Sequence, residues 1–124
     1  MLAFAGIRPA RIALLPREQQ FAEKVHAYTL PREGGNSRTR DLVDMVLLVQ
    51  KGLPEAAKVK AAVRATFGRR KTHTIPVALP APPAKWAAPY QRIAGDVGLE
   101  AAEIGAAFSV VRDYWDGLKF EKGE

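Results

Sequence analysis

The sequence contains no cysteine and only two histidines in 124 residues. The absence of thiols excludes disulfides and thiolate metal sites, and it fits a cytoplasmic protein. Two histidines are too few for a histidine-rich zinc site. No apolar run is long enough to span a membrane, and the apolar stretch of residues 1–5 is too short for a signal peptide. We therefore expect a cytoplasmic protein without a membrane partner.

The composition that remains is that of a globular protein. Hydrophobic residues make up 48% of the chain and charged residues 26%. A chain of this length can bury one real core, so we expect a single domain over residues 1–124. Periodic apolar positions predict a mainly α fold of about five helices, with minor strand near residues 10–15 and 72–79.

The positive charge is concentrated in the first part of the chain. Residues 1–76 carry fourteen Lys or Arg against six Asp or Glu, whereas residues 77–124 carry five against seven. The net charge of +6 therefore combines a strongly basic part with a slightly acidic one. This asymmetry indicates a surface that faces a polyanion.

A lysine lies beside the apolar face of the first predicted helix, which starts near Pro16. Phe21, Val25 and Tyr28 recur at helical spacing and define that face. Lys24 is three residues after Phe21 and four before Tyr28, so its stem can lie along the core while its ammonium reaches the edge. A snorkelling lysine with no chemical role is the simpler interpretation, and a site lysine is the alternative.

Two aspartates begin the second predicted helix, which follows the loop signal at residues 34–35 and can be capped by Asn36, Ser37 or Thr39. We place Asp41 and Asp44 in its first turn, where they share a face. Acidic groups near a helix start are favoured by the macrodipole, which explains Asp41 better than Asp44. An ion-pair network with the neighbouring arginines is the second interpretation; these are Arg38 and Arg40.

A third helix is predicted from Pro54 to Gly68, with an apolar face of Ala56, Val59, Val63 and Phe67. The densest basic cluster of the chain follows it directly, as Arg69, Arg70 and Lys71. Phosphate groups are natural partners of such a cluster, but cations are also favoured at a helix end by the dipole. No aromatic residues are interleaved with the cluster, so both interpretations stay open.

The last part of the chain combines a proline-rich segment with two aromatic helices. Residues 74–79 can form a short edge strand, and residues 79–85 form an extended strap. The two helices that follow have apolar stripes that predict core packing rather than base stacking: Trp86, Tyr90, Ile93 and Val97, then Ile104, Phe108, Val111, Trp115 and Leu118. We expect residues 119–124 to be frayed.

The lysine and aspartate motifs together resemble the C-terminal signature of the AbiEii/AbiGii-type nucleotidyltransferase toxins of type IV toxin–antitoxin, abortive-infection systems of bacteria. That signature has an Ala-Glu-Lys-Leu-x-Ala helix, a loop with arginines, and a helix that starts with Arg/Lys-Asp-Leu-x-Asp-Leu. The matching residues here are Ala22, Glu23, Lys24, Val25, Ala27, Arg40, Asp41, Leu42, Asp44 and Met45. Residues 67–94 are also similar to members of the family, so the resemblance covers nearly the whole chain.

The resemblance implies a transferase that moves a nucleotide from an NTP to an acceptor such as tRNA and is opposed by a cognate antitoxin. By this analogy Lys24 neutralises nucleotide phosphates, and Asp41 assists transfer or positions the lysine, with Asp44 and Arg40 in support. The basic residues become candidates for phosphate binding: Arg38, Arg40, Arg69, Arg70 and Lys71.

One family motif is missing. The resemblance implies an N-terminal Gly-Ser turn and an Asp-x-Asp strand that hold Mg²⁺ on the NTP, and this sequence contains neither Asp-x-Asp nor Glu-x-Asp. We therefore expect no metal ligands and no cofactor in this chain alone. It resembles the C-terminal, helical half of the family, with residues 1–15 as the last strand of a missing core.

The sequence leaves three functions open. In the first, the chain partners a missing N-terminal half and is inactive alone, as expected of a truncated gene, a degraded toxin or an expressed fragment. In the second, it is a non-catalytic basic module that binds RNA or protein. The third is an inert remnant that binds neither nucleotide nor RNA.

Overall fold

Five α-helices make up most of the computed structural model, which describes residues 15–31, 36–99 and 103–122. The helices and one short 3₁₀ turn are α1 (Arg17–Thr29), α2 (Asn36–Lys51), α3 (Ala56–Arg70), the 3₁₀ turn (Ala84–Trp86), α4 (Ala87–Asp96) and α5 (Ile104–Leu118). Within these ranges no strand is present, so the prediction of a mainly α fold is confirmed. None of the described helices is long and apolar enough to cross a membrane.

Helix α1 lies between α2 and α3, and α2 in turn contacts α4 and α5. The predicted apolar face of α1 is buried, with Phe21, Val25 and Tyr28 all inside the core. Burial extends around most of this helix, because seven of the eight residues from Phe21 to Tyr28 are buried. Lys24 is the exception, so a partly exposed lysine is surrounded along the helix by residues that are shielded from water.

Aromatic side chains link the two ends of the sequence. The Phe21 ring meets the Tyr114 ring edge-on at 5.4 Å between centroids, and it lies 6.4 Å from Trp115. Trp115 stacks on Phe120 at 4.7 Å. The prediction that the aromatic stripes belong to the core is thus confirmed for Trp115, as it is for the buried Tyr90. The expectation of a frayed end is wrong at Phe120, because that ring is buried against Trp115.

The placement of the two aspartates in a first helical turn is wrong. Helix α2 starts at Asn36, so Asp41 is its sixth residue and Asp44 its ninth, and the first turn carries no acidic residue. The field of the macrodipole fades within one turn of a helix end. A different interaction must therefore explain both carboxylates.

The bounds of α3 also differ from the prediction. The helix starts at Ala56 rather than Pro54, and it continues through Gly68 to Arg70. Lys71 ends it by adopting the left-handed conformation, with φ 52°, and by donating its backbone N–H to the Phe67 carbonyl. Arg69 and Arg70 are consequently fixed on the last turn of a helix rather than on a loop.

Residues 71–83 form an irregular segment, so the strand predicted near residues 72–79 is absent there. The backbone carbonyls of two prolines instead accept hydrogen bonds from core side chains, Pro76 from the Trp115 indole at 3.2 Å and Pro80 from the Tyr28 hydroxyl at 2.8 Å. The strand predicted near residues 10–15 lies almost wholly outside the described residues. Val97, predicted on the stripe of α4, is exposed because that helix ends at Asp96.

Candidate functional site

The Lys24 ammonium lies between the two aspartates of α2. Its Nζ atom is 2.6 Å from Oδ2 of Asp44 and 3.6 Å from Oδ1 of Asp41. Asp41 is almost fully buried, with 3% of its side chain exposed, whereas 30% of Asp44 and 14% of Lys24 are exposed. The three predicted catalytic residues are therefore brought together, at a point where the inner carboxylate is dry and the outer one meets water.

This geometry follows from two helical repeats. Asp41 and Asp44 are separated by three residues and so share a face of α2. Lys24 is on the part of α1 that packs against α2. A lysine in this position can lay its aliphatic stem along the core and place its ammonium beside the two carboxylates of α2. A charge-assisted contact of this kind holds the ammonium in one orientation, which a lone surface lysine would not have.

The residue before Lys24 faces the opposite neighbour and forms a second ionic cluster. Glu23 is buried, and its Oε1 accepts hydrogen bonds from Nε and Nη2 of Arg70 at 3.1 and 2.8 Å. Its Oε2 accepts one from Nη2 of Arg69 at 3.1 Å. Gln19 completes the set, since its amide donates to Glu23 Oε2 at 3.2 Å and to the Thr66 hydroxyl at 2.9 Å.

Sequence reasoning missed the role of Glu23. The periodicity of α1 marks one apolar stripe, whereas tertiary packing buries this helix on two sides. No local pattern in the sequence relates Glu23 to the arginines at the end of α3. The contact depends on the packing of α3 against α1.

The predicted phosphate-binding residues occupy three different places. Arg38 donates a hydrogen bond to the Leu30 carbonyl and so closes the end of α1, while Arg40 is exposed on α2. Arg70 is the structural member of the basic cluster, with only 15% of its side chain exposed. Lys71 is exposed, and Arg69 is 55% exposed while one of its nitrogens pairs with Glu23, so both have charge in contact with solvent.

Both histidines of the chain meet beside the basic cluster. His26 Nε2 is hydrogen-bonded to the Thr72 hydroxyl at 2.7 Å, and His73 bonds the Thr29 hydroxyl through Nε2 at 2.7 Å and the Thr72 hydroxyl through Nδ1 at 2.9 Å. Burial, His73, and the positive charges of Arg70 and Arg69 together lower the pKa of His26 to about 4, although Glu23 opposes them. Burial lowers the pKa of His73, and the positive charge of Arg38 lowers it further.

A cluster of metal-ligating side chains was sought among the described residues. No group of three or more His, Asp or Glu side chains in residues 15–31, 36–99 and 103–122 is placed to hold a metal ion. Asp41 and Asp44 are hard oxygen donors, but an ammonium already lies between them.

The candidate site is thus an ionic cluster on a helical scaffold, with Lys24 between the buried Asp41 and the part-exposed Asp44. The model of the nucleotidyl transferase AbiEii toxin family, of type IV toxin–antitoxin systems, matches residues 2–116. The chain belongs to the AbiEii family. Comparisons with curated proteins and with solved structures found no significant match. The family implies a nucleotidyltransferase toxin with an antitoxin partner.

Proposed function

We propose that this chain supplies the lysine–aspartate part of a nucleotidyltransferase site that moves a nucleotide from an NTP to an RNA acceptor such as tRNA. The observation that carries the proposal is the contact of Lys24 with Asp44 and Asp41 at 2.6 and 3.6 Å. The family match over residues 2–116 supports the reaction class. The proposed setting is the cytoplasm of a bacterium, in defence by abortive infection.

Each of the three residues has a distinct proposed role. The Lys24 ammonium contacts the phosphates of the incoming NTP, where a fixed positive charge stabilises the charge that develops during transfer. Asp41, the buried carboxylate, positions the lysine. Asp44 is closer to solvent and to the ammonium, and it gives up part of its contact with Lys24 when phosphate arrives.

Nucleotidyl transfer normally also needs carboxylates that bind Mg²⁺ on the nucleotide, and this sequence has no Asp-x-Asp or Glu-x-Asp. We therefore propose that the 124-residue chain alone transfers no nucleotide and needs these carboxylates from another polypeptide segment. The chain would then bind an NTP weakly through Lys24 without converting it.

Two measurements test the proposal. The first is NTP binding, followed by amide chemical shifts near Lys24 and Asp44 during titration with ATP, GTP, CTP and UTP. We expect shifts that are lost in Lys24→Ala and kept in Lys85→Ala, an exposed lysine in the acidic part of the chain. The second is transfer of labelled NTP to tRNA, for which we expect no product.

The outcomes separate the parts of the proposal. Absence of shifts around Lys24 with all four NTPs would refute the site. Robust labelling of tRNA that Lys24→Ala abolishes would keep the site and refute the need for further carboxylates.

A second function, RNA binding by the basic surface, is favoured by one specific observation. Residues 56–71 contain six Lys or Arg and no Asp or Glu, and two of these cations at the end of α3, Arg69 and Lys71, are exposed. Exposed cations on a surface without acidic residues are sufficient for contact with phosphates that does not depend on the RNA sequence. This function is compatible with the first, because an acceptor RNA must also be held.

A further inference from the structure

An open cavity of about 310 Å³ lies at the C-terminal end of α3. Its walls come from the last turns of that helix and from the irregular segment that follows: Arg64, Phe67, Gly68, His73, Thr74 and Ile75. The cavity is separate from the lysine–aspartate site, because none of its lining residues belongs to that site. Its volume is at the lower end of the range for small-molecule pockets, about 300–1,000 Å³.

The inner wall of the cavity consists of rings held in fixed positions. The rings of Phe67 and His73 meet at 5.0 Å between centroids, and His26 packs behind them at 5.1 Å from Phe67 and 4.7 Å from His73. The imidazole of His73 cannot turn freely, because both of its nitrogens are hydrogen-bonded to threonine hydroxyls. Ring and aliphatic walls with few polar groups suit a planar heterocycle.

The rim of the cavity is cationic. Arg64 lines it directly, and its guanidinium is anchored over the Phe120 ring at 5.7 Å. Gly68, also in the wall, is followed at once by the exposed Arg69 and, two residues later, by the exposed Lys71. The cavity thus has aromatic walls, one cation in its lining and two more on the adjoining end of α3, of which Arg69 also pairs with Glu23. Stacking surfaces beside cations are the combination by which proteins bind single-stranded nucleic acid.

We propose that this cavity holds one unpaired nucleobase of a bound RNA, while Arg64, Arg69 and Lys71 contact the phosphates on either side. The inference rests on the proposed function in one respect, which is that the partner is RNA. The base enters edge-first against Ile75 and stacks on the half-buried His73 ring, which the buried Phe67 ring supports at an interplanar angle of 67°. The Thr74 hydroxyl, at the rim, is the group that can hydrogen-bond the edge of the base.

A substitution at Gly68 can fill the cavity without disturbing the helix. A Cβ atom added at this position has no heavy atom within 4 Å, so a larger side chain can be accommodated there. Leucine is a good helix former, and its side chain would extend over the cavity. Gly68→Leu is therefore the blocking variant, and Gly68→Ala is the matched control that improves the helix but leaves the space open.

The test begins with neutral nucleosides, which carry no phosphate. Adenosine, guanosine, cytidine and uridine are titrated into the 124-residue chain, and backbone amide shifts are followed. We expect at least one nucleoside to shift the amides of Gly68, His73 and Thr74 in the parent and in Gly68→Ala, and none to do so in Gly68→Leu. Absence of these shifts in the parent with all four nucleosides would overturn the inference, whether or not the chain binds RNA.

The second step compares single-stranded RNA with duplex RNA of the same length. The parent should prefer the single strand, and Gly68→Leu should lose about ten-fold of affinity for it, because the stacking of one base on a protein ring is lost. The salt dependence should not change, since the phosphate contacts remain. An equal loss for single strand and duplex would overturn the inference. Nucleoside binding without RNA binding would instead refute the proposed acceptor and leave the cavity as a nucleobase site.

Discussion

The buried carboxylate of Glu23 accepts two hydrogen bonds from the Arg70 guanidinium, at 3.1 and 2.8 Å. The next residue, Lys24, turns to the other side of the same helix and meets the aspartates of α2. Adjacent residues are about 100° apart around a helix, so α1 can carry one charge toward each neighbour. The ionic contacts on its two sides therefore fix the rotation of α1 about its axis, and this rotation sets the direction in which Lys24 points.

Replacement of Glu23 should destabilise the protein strongly. In Glu23→Ala the mostly buried Arg70 side chain, 15% exposed, loses its counterion, and breaking a buried pair from one side costs up to about 3–5 kcal/mol. Glu23→Gln should cost less, because one amide oxygen still accepts hydrogen bonds. Urea denaturation measures both.

Lys58→Ala is the control, since its pair with Glu55 is exposed and 3.9 Å long, and such pairs contribute at most about 1 kcal/mol. Glu23→Ala as stable as Lys58→Ala would show that the buried network has no net effect on stability.

The two site aspartates should differ in their effect on stability. Asp41 is buried, so Asp41→Ala removes a partner of Lys24 inside the core, whereas Asp44→Ala acts at a position that water can reach. We expect a loss of about 3 kcal/mol for Asp41→Ala and of about 1 kcal/mol or less for Asp44→Ala. Thermal and urea unfolding give the comparison. A larger loss at Asp44 would mean that the shorter ion pair, not the buried one, fixes Lys24.

Stability should fall as the solution becomes acidic, because His26 is buried in its neutral form. Its folded-state pKa of about 4 is below the ordinary value of 6.5, so the unfolded chain binds the proton more readily. The contribution is complete above pH 6.5 and is lost as the pH falls from there toward 4. Between pH 7.5 and 5 the loss from this group is about 2 kcal/mol.

His26→Gln removes the titrating group and should flatten this part of the profile of unfolding free energy against pH. His73, whose pKa is also lowered, contributes in the same direction. An unchanged slope between pH 7.5 and 5 in His26→Gln would assign the acid sensitivity to other groups.

The exposed cations at the end of α3 should govern the salt dependence of RNA binding. Arg69→Ala/Lys71→Ala should weaken binding and reduce the slope of log affinity against log salt by about 0.7 per lost phosphate contact. Lys85→Ala/Arg92→Ala changes the net charge equally in the acidic part of the chain and is the control. Arg70 is left intact because it is the less exposed partner of Glu23 and makes two hydrogen bonds to it, whereas Arg69 makes one; the folded state of the double variant is checked by its thermal unfolding. If both double variants show the same salt slope, Arg69 and Lys71 do not contact RNA phosphates, and their charges serve only the end of the helix.

Local sequence patterns determined the helices and their buried faces. The spacing of Phe21, Val25 and Tyr28 predicted the inner face of α1, and the spacing of Phe108, Val111 and Trp115 predicted that of α5. Both are buried as expected, because a helix has a fixed period of 3.6 residues and burial of an apolar stripe follows from it directly. The motifs marked Lys24, Asp41 and Asp44 as candidate site residues, whereas their contact depends on the packing of α1 against α2.

Tertiary structure alone decided what the charged residues at a distance do. Glu23 and Arg70 are 47 residues apart, and no local pattern relates them. The His73 ring meets Phe67 and His26 only because the chain turns back after Lys71, whose backbone is left-handed. The sequence likewise suggested a strand around Pro76, whereas the carbonyls there are satisfied by Trp115 and Tyr28. Local periodicity reports which face of an element is apolar, but the partner of a buried charge or carbonyl depends on which elements pack together.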